Sequence, residues 1–195
     1  MKPPRKRVAF GLAVLAGAAF TLAVPLYEAA TKRADWPSTA AQAAATATEM
    51  RTLVSGILVA GQIGTADLTA ARERGIRTVV AMRPDGEEAA QPSAAAIGES
   101  ARSGGLAFAY IPVPQGDMPD SVADDLSAAL ASAGDGPVLL YCRSGRRAAR
   151  AWALAEASRT GGLSPREIEA ALVGIGQPVD DLAERIRARA AARRS

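Results

Sequence analysis

The 195-residue chain has room for one domain of ordinary size with additional segments. It contains no histidine, which excludes histidine metal sites and histidine-activated nucleophiles, and its single cysteine excludes an internal disulfide. The net charge of +3 comes largely from two basic ends that lack the aromatic residues typical of nucleic-acid binding. We therefore expect no metal, no other cofactor and no nucleic-acid partner.

A membrane segment is predicted near the start of the chain. A basic head, residues 1–7, precedes twenty uncharged and mostly apolar residues, 8–27. A helix of this length spans about 30 Å, the thickness of the hydrocarbon core of a bilayer. Because the positive charges precede the span, we expect a single-pass protein of a bacterial-type inner membrane with its catalytic domain on the extracytoplasmic side. The alternative is a cleaved signal peptide and a secreted or periplasmic protein.

Short apolar strands alternate with helices from Leu53 onward. The predicted strands are residues 56–60, 76–82, 106–113 and 137–141. The predicted helices are residues 65–75, 93–104, 121–133, 145–160, 165–174 and 179–192. This alternation predicts an α/β fold with a mostly parallel sheet that is covered on both faces by helices. The last helix is rich in arginine, and we expect it to be a solvated helix end, with a contact to anionic lipid as the alternative.

The segment 137–150 combines a buried strand, a tight loop and the start of a helix. It contains Cys142, a Ser144-Gly145 turn and three nearby arginines, Arg143, Arg146 and Arg147. Open α/β sheets bind ligands at the carboxyl ends of their strands, where loop amides and a helix N-terminus favour an anion. We therefore predict that Cys142 is a nucleophilic thiolate beside an anion-binding loop of Arg143, Ser144, Gly145 and Arg146. The alternative is a buried structural cysteine, but an apolar core has no use for three guanidinium groups.

Five stretches of the sequence resemble the beta-lactamase-hydrolase-like, phosphatase-like domain family, which is related to dual-specificity phosphatases and is also described as a sulfurtransferase family. They are Val59–Gln62, Thr78–Glu87, Gln91–Ser93, Tyr110–Val113 and Tyr141–Arg147. The resemblance implies a dual-specificity-phosphatase-like fold, in which helices flank a central, mostly parallel sheet.

The resemblance also suggests how the chain is divided. Residues 53–162 are the expected phosphatase-like catalytic domain. Residues 1–30 are then the basic head and membrane anchor, 31–52 an Ala/Thr-rich spacer, and 163–195 a C-terminal helical extension.

The resemblance implies roles for individual residues. Cys142 is the nucleophile, and Arg147 closes the loop and binds the oxyanion. Asp117 is the candidate acid for the leaving group, with Asp120 as a substitute, and the alternative for both is an ordinary loop or helix-capping aspartate. Arg83 and Asp85 are candidates to line the pocket, or they form an ion pair that fixes their own loop.

Two enzyme reactions fit a cysteine in such a loop. In sulfur transfer, Cys142 takes sulfur from a sulfane-sulfur substrate, holds it as a persulfide and passes it to an external thiol. In phosphohydrolysis, Cys142 attacks a phosphorylated substrate, and water cleaves the cysteinyl phosphate. Loop length favours sulfur transfer, because six residues run from Cys142 to Arg147, as in rhodanese-like enzymes, whereas the related phosphatases have seven. A third possibility is a module that binds a small oxyanion without turnover.

The single cysteine also has a consequence for partners. No second thiol of the chain can resolve a persulfide or protect a sulfenic acid on Cys142. We therefore expect an external thiol acceptor or reductant.

Overall fold

A computed structural model describes residues 48–116, 118–179 and 181–193. The predicted membrane segment, its signal-peptide alternative and most of the predicted spacer lie outside the described residues, as does Asp117. No helix within the described ranges is both long and apolar enough to cross a bilayer.

A five-stranded sheet forms the centre of the fold. Its strands are β1 (Met50–Val54), β2 (Ile57–Ala60), β3 (Thr78–Ala81), β4 (Ala107–Tyr110) and β5 (Val138–Tyr141), in the order β1-β2-β5-β3-β4. β2, β5, β3 and β4 are parallel, and β1 pairs antiparallel with β2 at one edge. The α/β prediction is confirmed, with a mixed sheet. Because residues up to 52 had been assigned to the spacer, the sequence analysis missed β1.

Six helices lie within the described residues. They are α1 (Thr65–Glu73), α2 (Ala94–Ser103), α3 (Asp120–Ala133), α4 (Arg146–Ser158), α5 (Pro165–Gly174) and α6 (Ala183–Ala192). Side-chain caps explain two of the starts. The Ser93 hydroxyl accepts a hydrogen bond from the Ala96 amide at the start of α2. Ser164 and Glu167 form a reciprocal capping box at the start of α5, where Pro165 occupies the first turn.

The strand residues alternate between two apolar cores. Val59, Val80 and Leu140 pack with α3, α4, α5 and α6 on one face of the sheet. Their neighbours Leu58, Val79 and Leu139 pack with α1 and α2 on the other face. Burial on both faces explains why the parallel strands are continuous apolar runs rather than alternating patterns.

The C-terminal helices complete the first of these cores. Ile168 and Leu172 of α5 and Ile186 of α6 are fully buried in the same cluster as Trp152 of α4. The arginines of α6 bind neighbouring elements: Arg189 donates to the Ser158 hydroxyl at 2.8 Å, and Arg185 donates to Asp120 at 2.7 Å. The arginine-rich helix end is therefore only partly solvated, because Arg185 and Arg189 pair with α3 whereas Arg187 is 61% exposed.

Two adjacent residues of α5 test this packing. Leu172 is fully buried, whereas the side chain of Val173 is 62% exposed. We expect Leu172→Ala to lower the free energy of unfolding by about 2–5 kcal/mol, because it leaves a cavity in the core. Val173→Ala should change it by less than about 0.5 kcal/mol. Urea unfolding followed by circular dichroism measures both, and equal effects would mean that α5 does not belong to this core.

Candidate active site

Cys142 lies at the carboxyl-terminal edge of the sheet, directly after β5. Ala60, Ala81 and Tyr141 end three neighbouring parallel strands in register. The Cys142 amide donates to the Ala60 carbonyl at 3.4 Å, and the Gln62 amide donates to the Arg143 carbonyl at 3.1 Å. The side chain of Cys142 is 1% exposed. The loop that follows β5 is therefore tied to the loop that follows β2, with the thiol enclosed between the strand and α4.

Gly145 makes the turn from this loop into α4. Its φ of +86° lies in the left-handed region, which is unfavourable for residues with a side chain. A Cβ at this position would also lie 3.0 Å from Val59 Cγ1 and 3.3 Å from the Ala60 carbonyl oxygen. Both constraints require glycine at this position. The absence of a side chain allows the loop to pass close to the end of β2.

The amides of the turn are available to an anion. Among the described residues, none accepts a hydrogen bond from the backbone N–H of Ser144, Gly145 or Arg146. These groups precede or begin α4, where the helix dipole also favours negative charge. Such an arrangement of amides suits an oxyanion, and the role of this loop in binding one stays a prediction.

Arg147 is fixed beside this turn by a bidentate ion pair. Its Nη1 and Nη2 donate to the two carboxylate oxygens of Glu87 at 2.6 and 2.8 Å, and Nη1 also donates to the Val113 carbonyl at 2.6 Å. Hydrogen bonding to Glu87 raises the pKa of Arg147, and the facing Cys142 side chain adds to this rise. A guanidinium has five N–H groups, and within the described part of the chain the Nε–H and one Nη2–H of Arg147 have no acceptor.

Glu87 binds a second arginine as well. The Nε of Arg83 donates to Glu87 Oε2 at 2.9 Å, and its Nη1 donates to Gln62 Oε1 at 2.9 Å. Glu87 is 10% exposed and Arg83 is 3% exposed, so the bridge is largely buried. Hydrogen bonds from Arg147, and then from Arg83, lower the pKa of Glu87 to about 2. Arg83 therefore supports the site from behind, through Glu87 and Gln62.

Arg83 and Asp85 do not form the ion pair that the sequence analysis considered. Arg83 instead pairs with Glu87 and, at 3.2 Å, with Glu88. Asp85 accepts a hydrogen bond from the Ala94 amide at 2.7 Å, at the first residue of α2. Its own amide donates to the Tyr110 hydroxyl at 3.1 Å. Asp85 thus caps the start of α2, and this contact fixes the loop that contains Asp85.

Three residues of the predicted anion-binding loop direct their side chains to the surface. Arg143, Ser144 and Arg146 are exposed, and Arg143 pairs with Glu88 at 2.9 Å. Their side chains therefore lie at the rim of the site, whereas Cys142 and Arg147 lie within it.

Asp120 does not have the surroundings of a free acid. Arg185 and Arg189 of α6 lie 2.7 and 3.0 Å from its Oδ1. Hydrogen bonds from Arg185, and then from Arg189, lower the pKa of Asp120. This pairing favours the charged carboxylate and does not favour proton donation, and the role of Asp120 as a substitute acid stays a prediction.

Both flanks of Asp117 are anchored, although Asp117 itself lies outside the described residues. On one side, the Val113 carbonyl accepts a hydrogen bond from Arg147. On the other, the Met118 carbonyl accepts a hydrogen bond from Arg185 at 2.9 Å. The segment that follows β4 is therefore bonded to Arg147 of the candidate site. The role of Asp117 as the acid stays a prediction.

The arrangement suits attack by a thiolate on an anionic centre. It combines a cysteine at the end of a buried strand, free loop amides, and an arginine whose fork is fixed in position. Three contributors to the site were not predicted from the sequence: Glu87, Gln62 and the Val113 carbonyl. Glu87 and Gln62 lie within the stretches that carry the family resemblance. Membership in those stretches was the one signal in the sequence that could have identified them as site residues.

Comparison with known proteins agrees with this geometry. The family model described as beta-lactamase hydrolase-like protein, phosphatase-like domain, matches residues 49–159. The beta-lactamase hydrolase-like protein of Xylella fastidiosa Temecula1 is 35% identical over 100 residues, and that of Agrobacterium fabrum C58 is 31% identical over 101 residues. The matches cover 51% and 52% of this chain but only 23% of each relative. The chain thus spans about a quarter of the length of the curated relatives it matches.

Solved structures share the fold. A crystal structure of a candidate phosphatase from Neisseria meningitidis Z2491 superposes with a TM-score of 0.59 at 27% identity, covering 71% of this chain and 96% of that one. Human DUSP28 superposes with a TM-score of 0.53 at 17% identity, covering 75% of this chain and 95% of that one. The described part of this chain therefore has a phosphatase-like fold.

Replacement of Glu87 tests the buried bridge. We expect Glu87→Gln to lower the free energy of unfolding by about 3 kcal/mol at neutral pH, because it leaves two arginines without their shared carboxylate. The pKa of Glu87 falls from 4.5 to about 2 on folding. Its stabilisation is therefore complete above pH 4.5 and is lost as the pH falls toward 2. Denaturant unfolding from pH 7 to pH 3 should show the two proteins converging in stability.

The neighbouring carboxylate provides the control. Glu88 is 49% exposed, and an exposed ion pair contributes about 0–1 kcal/mol. Glu88→Gln removes the exposed pair with Arg143 and the 3.2 Å contact with Arg83, so it should lower the free energy of unfolding less than Glu87→Gln does. A constant difference between wild type and Glu87→Gln down to pH 3 would contradict the assignment of Glu87 as the charged bridge.

Proposed function

The chain belongs to the beta-lactamase hydrolase-like, phosphatase-like domain family, and we propose that it is a phosphohydrolase with Cys142 as its nucleophile. The observation that carries this proposal is the Arg147 fork, which Glu87 holds beside the thiol through hydrogen bonds of 2.6 and 2.8 Å. A fixed planar guanidinium is suited to the oxygens of a phosphoryl group. The phosphatase-like fold supports the same reaction and suggests phosphorylated substrates.

The first step transfers the phosphoryl group to the enzyme. The amides of residues 144–146 and the free N–H groups of Arg147 bind the phosphoryl oxygens. The Cys142 thiolate attacks phosphorus, an S–P bond forms, and the bond to the leaving oxygen breaks. Asp117 protonates the leaving oxygen, so that an alcohol departs rather than an alkoxide. The arginine and the amides stabilise the charge on the oxygens without moving, because both are already fixed.

The second step releases phosphate. Asp117, now a carboxylate, takes a proton from the attacking water while the oxygen of that water forms a bond to phosphorus. The S–P bond breaks, Cys142 returns to a thiolate, and inorganic phosphate leaves. The cycle consumes one water and returns Asp117 to its protonated form.

Sulfur transfer is the second candidate, and loop length favours it. The six-residue loop from Cys142 to Arg147 has one amide fewer than the loop of the related phosphatases. A terminal persulfide sulfur needs less space than a tetrahedral phosphoryl group. Sulfur transfer needs no general acid, however, so it gives the anchored loop around Asp117 no role.

The place of the protein in the cell is a separate proposal. If residues 8–27 cross the inner membrane as predicted, the site lies on the extracytoplasmic side. Cys142 would then depend on an external reductant to remain a thiolate.

Variants of the nucleophile and of its arginine test the reaction. On an aryl phosphate, Cys142→Ser should abolish turnover, and Arg147→Lys should lower kcat/KM by about 100-fold or more, because a point charge replaces a fixed fork. Intact-mass measurement after a rapid acid quench should detect a phosphoryl adduct on wild type and none on Cys142→Ser. Turnover by Cys142→Ser would contradict the proposal. Uptake of one sulfur from thiosulfate, without phosphate release, would support the second candidate instead.

Two aspartates of the same region form a matched pair. Asp117→Asn should lower kcat about 100-fold or more on an alkyl phosphate, whose leaving group needs a proton, and much less on an aryl phosphate. Asp120→Asn should leave both rates close to wild type, since Asp120 pairs with α6. Equal losses on the two substrates in Asp117→Asn would show that Asp117 is not the acid.

A further inference from the structure

The arginines of the loop divide into an inner and an outer set. Arg147 is 15% exposed and faces Glu87 and Cys142. Arg143 is 58% exposed and reaches Glu88, and Arg146 is also exposed. The transferred phosphoryl group must lie on the buried thiol and on the inner arginine. The two outer arginines therefore face whatever part of the substrate extends beyond that group.

The outer arginines are available to a ligand. Arg146 forms no hydrogen bond or ion pair with any residue that the structure describes, although it is in the first turn of α4. Within the described ranges, Arg143 pairs with Glu88 alone, and the two side chains are 58% and 49% exposed. Such exposed pairs contribute about 0–1 kcal/mol, so an anion of the substrate can replace the Glu88 carboxylate at little cost.

The arginine one turn further along α4 shows the contrast. Arg150 donates to both carboxylate oxygens of Asp181, at 2.7 and 2.9 Å, and is neutralised by them. Arg146 interacts with Asp181 only through its charge, without a hydrogen bond, so the positive charge at the rim comes from Arg146 and, once Glu88 is displaced, from Arg143. Arg143 lies one position and Arg146 four positions after Cys142, so both are close to the reacting centre.

We propose that the substrate carries a second phosphate besides the one transferred to Cys142, and that Arg143 and Arg146 bind this second phosphate. The proposal rests on the proposed phosphohydrolase function and names its substrate class, a small molecule with two phosphate groups. The second phosphate belongs either to a free polyol phosphate or to a lipid. In a lipid, it is the phosphodiester that joins the headgroup to the rest of the molecule. Arg143 and Arg146 determine specificity, and neither takes part in breaking the ester bond.

A comparison of two soluble substrates tests the proposal. With the full chain, kcat/KM for an inositol bisphosphate should exceed that for an inositol monophosphate by about tenfold, as expected for added charge-assisted hydrogen bonds. Arg146→Gln should bring this ratio close to one. Glu88→Gln should raise the ratio, because it frees Arg143. Arg166→Gln is the control, since Arg166 is exposed in the first turn of α5, beyond the far end of α4, and should not alter the ratio.

Several results would overturn the proposal. A ratio near one in wild type, or a ratio that Arg146→Gln does not change, removes the second phosphate site. Preference for a phosphotyrosine peptide that does not depend on Arg146 also contradicts it. Phosphatidylcholine vesicles that contain phosphatidylinositol phosphate separate the two sources: faster turnover on vesicles than on the soluble headgroup identifies the lipid.

Binding separates failure of this inference from failure of the proposed function. If no phosphate ester is hydrolysed, the phosphohydrolase proposal is wrong, and calorimetry with Cys142→Ser still tests the rim. Tighter binding of the bisphosphate than of the monophosphate, lost in Cys142→Ser/Arg146→Gln, supports the rim site. Equal affinities reject it.

Discussion

The Glu87 carboxylate, shared by Arg83 and Arg147, is the interaction on which the candidate site depends. Its two oxygens receive three hydrogen bonds from guanidinium groups at 2.6–2.9 Å, in surroundings that are largely closed to water. Removal of charged groups from water is costly, and pairing with opposite charges offsets part of the cost. Gln62 and the Val113 carbonyl take further N–H groups of the same arginines. Loops that follow four of the strands thereby share one polar network, and each loop constrains the position of the others.

This network explains how a site built on loops can be rigid. Cys142, the free amides after it and the Arg147 fork belong to one strand–loop–helix unit, and Glu87 fixes that unit from outside. Fixed dipoles and charges stabilise a reacting oxyanion more effectively than groups that must first reorient. The exposed arginines differ in this respect, because their side chains are free to adapt to a ligand. The candidate site thus has a paired, buried interior and a rim of exposed arginine side chains.

Much of the fold could be predicted from the sequence because burial imposes repeating patterns. The parallel strands are apolar runs between glycine and proline turns, and Ser164-Pro165 with Glu167 marks the start of a helix. Spacing in the sequence does not reveal which charges pair. Glu87 lies 60 residues from Arg147, in a loop that also offers Arg83, Asp85 and Glu88, and only the fold selects the partner. The same holds for Asp120 and the arginines of α6, 65 and more residues away. The edge strand β1 was missed because its short segment, with Arg51 and Thr52 at its centre, has no apolar run.

The two anchors of the loop around Asp117 come from two different helices. One is Arg147, at the start of α4, and the other is Arg185, on the last helix that the structure describes. During synthesis, the first anchor leaves the ribosome before the second. The nascent chain can therefore assemble its nucleophile loop while the loop of the candidate acid is still held at one end only. The second anchor of this loop therefore forms only after α6 has been made and has packed against α4.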